Sequence, residues 1–172
     1  MATMQEQNVA VCEKTVKQPQ NGTQATMNNQ THFAMTLARS HNWSGAPVGT
    51  FPEKIFPNNS AIFTHLKGNF FGSKAAVVYN GKNASGGDCS WVLAWHAPAD
   101  NTSPQTPNRV YVVCGAKQVI ANLTFDQIQQ KLDTALTFDT STDAATKTRA
   151  DGNISDTVPD IATLIADFKL IQ

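Results

Sequence analysis

One apolar alternation limits most what this chain can fold into. The odd positions Cys89, Trp91, Leu93 and Trp95 are bulky and apolar, and the even positions Val110, Val112 and Cys114 repeat the pattern. Period two sends successive side chains to opposite faces of an extended backbone, so each run is a strand with one face committed to a core. The Pro-rich segment from Ala97 to Asn108 joins them. Apolar matching fixes the register of a hairpin that buries one face. Pairing Trp91 with Val112 and Leu93 with Val110 brings the large side chains together and predicts Cys89 opposite Cys114. Both are expected as buried thiols, because disulfides are rare in reducing compartments.

Weaker strand signals flank this pair. Phe33, Met35 and Leu37 alternate from Thr31 onward, and further strands are predicted over Ser60–Leu66 and Lys74–Tyr79. The unbroken run Ala75 to Tyr79 is what a strand covered on both faces looks like. Turn residues separate the runs: Gly45, Pro47 and Gly49, then Asn80-Gly81, then Ser85-Gly86-Gly87-Asp88. Thr124 and Gln127 have capping-box spacing, and Phe125, Ile128, Leu132 and Leu136 continue at helical intervals. The set Ile161, Leu164, Ile165 and Phe168 predicts a C-terminal helix, with Asp139 to Pro159 as a polar loop before it. Residues 1–30 read as a polar arm broken by Pro19, Gly22 and Asn28-Asn29, dispensable for folding, and 31–172 as one domain. Several short strands with Gly, Pro and Asn turns, then helix, predict a mainly β chain, an antiparallel β-sandwich with one or two flanking α-helices.

Composition narrows the function. Of 172 residues only 15% are charged, and the formal net charge is zero. With no basic stripe, nucleic acid is excluded as the expected partner. Asn, Gln, Ser and Thr take the place of charge, so a partner is expected to be met through shape and hydrogen bonds. His32, His41, His65 and His96 have no metal-site spacing, and Cys12, Cys89 and Cys114 form no zinc motif. His65 is expected to be a satisfied structural residue. No nucleophile elbow and no phosphate loop occurs, so neither catalysis nor a cofactor is expected. No signal-peptide pattern or membrane-spanning run is present, which points to the cytoplasm. Trp43, in the expected turn His41-Asn42-Trp43-Ser44-Gly45, is the aromatic candidate for a contact surface, with folding back onto the sandwich as the alternative. Trp91 and Trp95 are expected in the core.

Three segments between Asn29 and Val113 carry a resemblance. They are His41-Asn42-Trp43-Ser44-Gly45 with Phe51-Pro52 and Ile55; Ala61 to Leu66 with Gly72 to Tyr79; and Cys89 to Trp95 with Asn108-Arg109-Val110-Tyr111. In this order the chain resembles the plant 23 kDa jasmonate-induced proteins, although that family has Asp where Ser90 stands and a longer N-terminal helical region. More distantly, the strand pattern is similar to actinoporins and the fungal lipid-binding protein nakanori, which are helix-flanked β-sandwiches that bind sphingomyelin-containing membranes. His96-Ala97-Pro98 falls where actinoporins carry the Ser-x-Pro segment of a phosphocholine pocket, while no Tyr stands on the segment Phe125 to Ile128 that matches their tyrosine-bearing helix.

The resemblance implies Trp43, Phe51, His96, Pro98 and Tyr111 as candidate lipid- or ligand-binding residues. Two readings follow. One is a stress-induced defence protein that binds lipid or membrane, in its sharpest form a toxin. The other is a soluble carbohydrate-binding or protein-interaction module without membrane action.

Overall fold

The computed structural model describes residues 21–99, 107–155 and 160–172. In chain order its elements are β1 (Gly22–Gln30), β2 (Met35–Ser44), β3 (Ala46–Pro47), β4 (Lys54–Ile55), β5 (Asn59–Leu66), β6 (Ser73–Lys82), β7 (Asp88–Ala97) and β8 (Arg109–Ala116). Then come α1 (Lys117–Ala121), α2 (Phe125–Leu132), β9 (Phe138–Asp143), β10 (Thr148–Ser155) and β11 (Ile161–Leu170). Two sheets face each other. One has the order β3-β5-β1-β11-β10-β9 and the other β4-β2-β6-β7-β8. The sandwich is antiparallel except for β1 and β11, which run parallel.

The alternation in β7 and β8 does what period two requires. Cys89, Trp91, Leu93, Trp95, Val110, Val112 and Cys114 all point into the inter-sheet core, where they meet Ala25, Met27, Ala150, Leu164 and Phe168. The continuous apolar run of β6 has a separate cause for each face. Ala75, Val77 and Tyr79 face that core, whereas Ala76 and Val78 lie under Ile120, Ile128 and Leu132 of the two helices. The capping box of α2 is formed: Thr124 Oγ1 accepts from Gln127 N at 3.1 Å, and Gln127 Oε1 accepts from Thr124 N at 2.9 Å.

Five expectations are corrected. The C-terminal segment is strand β11, not a helix, and its inward set is Ala162, Leu164, Ala166 and Phe168. The stretch expected as a loop from Asp139 contains most of β9 and all of β10. Residues 22–30, assigned to the arm, form β1, which lies between β5 and β11 with Ala25 and Met27 fully buried. The folded domain therefore begins before residue 31, and residues 1–20 lie outside the described residues. The β7–β8 register is shifted by two positions, so that Trp91 faces Cys114, Leu93 faces Val112, and Cys89 faces Ala116 rather than Cys114. Both runs of apolar residues keep their faces under that slip, so apolar matching alone does not separate the two registers. Finally, Trp43 is in β2 and not in a turn.

Candidate functional site

The connection from β5 to β6 is a short loop bracketed by glycines. Gly68 N donates to Gly72 O at 2.8 Å, closing the loop and leaving Asn69, Phe70 and Phe71 at its tip. Three contacts pin its base. Ser44 Oγ, at the end of β2, donates to Gly72 O at 2.8 Å. His96 Nε2, on β7, donates to Phe71 O at 3.0 Å. Gly72 has φ +79°, and the backbone of residues 97–99 occupies the space a Cβ would need. Glycine is thus required there twice over, by conformation and by close approach. With its backbone anchored, the loop turns both phenyl rings outward: Phe70 is 85% and Phe71 68% exposed.

Beneath the loop, a hydrogen-bond chain crosses the core. Trp95 Nε1 donates to Ser73 Oγ at 3.0 Å, Ser73 Oγ meets His65 Nδ1 at 2.8 Å, and His65 Nε2 meets Asn42 Oδ1 at 3.0 Å. An amide oxygen only accepts, so Nε2 carries the ring proton and Nδ1 accepts from the serine hydroxyl. Every partner is satisfied by a neutral ring, and burial lowers the His65 pKa to about 4.

The outer face of the five-stranded sheet continues from the loop. Lys74, His96 and Arg109 are cross-strand neighbours in one row. Lys74 Nζ is bound to Asp133 Oδ1 at 2.6 Å and lies 5.7 Å from the centroid of the Trp43 ring. Arg109 donates to Ala135 O at 2.8 Å. Burial holds the His96 pKa below its ordinary value. These bases are already used in fixing the α2–β9 connection and the loop, and they leave the phenyl pair as the chemically unspent part of this end.

The candidates read from the sequence separate into groups. Trp43 is half-buried and lies edge-on to both His41 and Phe125, which stack on each other at 5.0 Å. His96 and Pro98 sit at the base of the loop, His96 half-buried and Pro98 buried. Phe51 is a core residue against Phe63, His65 and Trp95, so no ligand reaches it without opening the sandwich. Tyr111 lies away from the loop, in a shallow cleft of about 250 Å³ that it forms with Leu123, Gln127 and Lys131. His65 has the structural role expected of it. Phe70 and Phe71 were missed by sequence reasoning. Their signal is Gly68-Asn69-Phe70-Phe71-Gly72, an aromatic pair inside turn chemistry, where apolar side chains have no core to enter. Among the described residues, no group of three or more His, Cys, Asp or Glu side chains is placed to hold a metal. Among the same residues, no helix is long and apolar enough to cross a membrane.

Known proteins share this architecture. The model of the family described as Nakanori-like protein matches residues 1–165. A jasmonate-induced protein homolog from Atriplex canescens is 43% identical over 141 residues, covering 81% of this chain and 76% of the relative. The crystal structure of the lipid-binding protein Nakanori superposes with a TM-score of 0.72 at 16% identity, over 87% of this chain and 71% of that one. A lectin from Xerocomus chrysenteron superposes with a TM-score of 0.50 at 13% identity, over 86% of this chain and 99% of that one. At such identities the two structures speak to the fold alone. The family match spans nearly the whole chain and the plant relative agrees with it: the chain belongs to the Nakanori-like protein family.

Proposed function

We propose that the protein is a non-enzymatic binding protein that docks on a lipid surface through the Gly68–Gly72 loop. The observation that carries this reading is the outward pair Phe70 and Phe71 on a backbone fixed by Ser44, His96 and Gly72. Two exposed phenyl rings at one loop tip are costly in water, and burying each one stabilises by about 2 kcal/mol. A bilayer interface accepts such rings without a complementary pocket. Because the loop is held before contact, little ordering entropy opposes the docking. His96 and Pro98 support the loop from behind, and Trp43 stands beside Lys74 on the adjoining sheet face. The near-absence of net charge fits a partner met by insertion rather than by steering.

The fold shared with a lipid-binding protein supports this reading, and the jasmonate-induced relative supports a stress or defence setting. In that setting, a toxin-like action is damage to the membrane of a feeding or infecting organism. Co-sedimentation with phosphatidylcholine vesicles, with and without sphingomyelin, tests the docking, and dye release from the same vesicles tests the damage. The protein is expected to pellet with at least one vesicle type. Recovery in the supernatant with every composition rules out lipid docking.

A further inference from the structure

The outer face of the six-stranded sheet carries a second feature, which shares no residue with the loop end. The registers place Ile62, Thr26, Ile165, Asn153 and Phe138 in one row across five strands. Ile62 is 64%, Ile165 46% and Phe138 53% exposed. The next row is Ser60, Asn28, Asp167, Asp151 and Thr140, and it is joined by hydrogen bonds. Asn28 Nδ2 donates to Asp167 Oδ1 at 2.7 Å, and Thr140 Oγ1 donates to Asp151 Oδ1 at 2.7 Å. Arg149 and Lys169 both bind Asp151, at 3.0 and 2.9 Å.

A groove of about 490 Å³ opens over this face, lined by Phe138, Asn153, Thr163, Ile165 and Asp167 among others, with Gly152 at its floor. A volume of that order is typical of small-molecule sites, which run from about 300 to 1,000 Å³. Gly152 lets β10 pack closely on the opposite sheet, because a Cβ on it would run into Val110 and Val112 of β8.

The chemistry of the groove is specific. Ile165 is an apolar platform with Thr163 and Asp167 beside it along β11, and Thr26 and Asn153 beside it across the sheet. The Asn153 amide and the Thr163 hydroxyl make no hydrogen bond within the described residues, and Asp167 Oδ2 is held only by a long ion pair with Lys169 at 3.7 Å, Oδ1 accepting from Asn28. Burial pushes the Asp151 carboxyl up, but hydrogen bonds from Lys169, Thr140 and Arg149 outweigh it and hold the group below its usual range. Asp151 is therefore a fixed anchor for its neighbours. Two carboxylates and two cations cancel, which removes any preference for a charged ligand. The carboxylates also repel a phosphate, and the two cations that would welcome it are committed to Asp151. A second copy of the chain is a poor occupant, since self-association interfaces are depleted in charge at their centre.

We propose that this groove is a binding site for neutral saccharides, with Ile165 and Phe138 under the apolar face of the sugar rings and Asn153, Thr163 and Asp167 bonded to hydroxyls. The site is independent of lipid docking at the loop. The test is binding of the full chain to immobilised neutral oligosaccharides of two to four hexose or N-acetylhexosamine units, with amide-shift mapping of a retained glycan. At least one is expected to be retained, with shifts confined to β9, β10 and β11. Affinity should fall at least tenfold in Asn153→Ala and again in Phe138→Ala, both exposed positions, while vesicle binding is unchanged. Retention of no glycan overturns the proposal, as do shifts centred on residues 68–72 or binding indifferent to both variants. Dimerisation through this face, abolished by Asn153→Trp, overturns it in favour of a second copy.

Discussion

His65 Nδ1 and Ser73 Oγ, on either side of the aromatic loop, meet inside the sandwich at 2.8 Å. The bond ties β5 of one sheet to β6 of the other, and burial keeps its imidazole neutral. The folded pKa of about 4 lies below the ordinary value of 6.5, so the unfolded chain binds more protons between the two. Stability is complete above pH 6.5 and falls as the pH drops toward 4. The loss is about 3 kcal/mol at about 1.4 kcal/mol per unit of displacement. Urea unfolding at pH 7 and pH 4.5 checks this, with His65→Gln expected to flatten the difference.

Chain truncation tests the place of β1. Residues 22–30 are hydrogen-bonded on both sides, to β5 and to β11. A protein beginning at Asn28 loses most of a central strand, including the buried Ala25 and Met27. It is expected to have no cooperative thermal transition, read by circular dichroism.

Gly152→Val should be among the most damaging single changes. Its side chain would meet Val110 and Val112 on β8, and overpacking of this kind costs typically about 1–3 kcal/mol. Denaturant midpoints of Gly152→Ala and Gly152→Val, compared with the parent, should fall in that order.

Cys89 and Cys114 are free and buried, and they are diagonal rather than direct neighbours across β7 and β8. Diagonal positions lie about 7–8 Å apart, beyond the Cα separation a disulfide favours. Cys114 turns to Ser141 O at 3.5 Å and Cys89 to Gly87 O at 3.5 Å. Burial also raises the Cys89 pKa, which further disfavours the thiolate. Both thiols should resist a thiol-reactive dye in the folded protein, react promptly in denaturant, and form no bond to each other under mild oxidation.

The five-stranded sheet was legible because its inward residues are large: Trp91, Leu93, Trp95 and Tyr79 announce a strand face by themselves. Close packing then forces small residues onto the facing sheet. Its inward positions include Ala25, Ala150, Gly152, Ala162 and Ala166, which carry almost no pattern. In β11 the outward Ile161 and Ile165 outweigh the inward alanines, and the eye is drawn to a helical period. β1 was hidden for a related reason, since its buried Thr23 and Asn29 look like surface residues in sequence. Phe51 and Tyr111 were named from their place in matching segments, which says nothing of accessibility. Phe70 and Phe71 lie between two glycines in sequence, but that they point outward follows only from the closed and pinned loop around them.

The central claim rests on the loop tip, and the most direct measurement is vesicle binding of Phe70→Ser/Phe71→Ser beside the parent protein. Both side chains are exposed, so the double variant should keep the parent's thermal transition. Losing two inserted rings removes about 4 kcal/mol of interfacial stabilisation, which is roughly a thousandfold in partitioning. The folded double variant is expected to stay in the supernatant with vesicles that pellet the parent. Equal pelleting of the two proteins would contradict the claim.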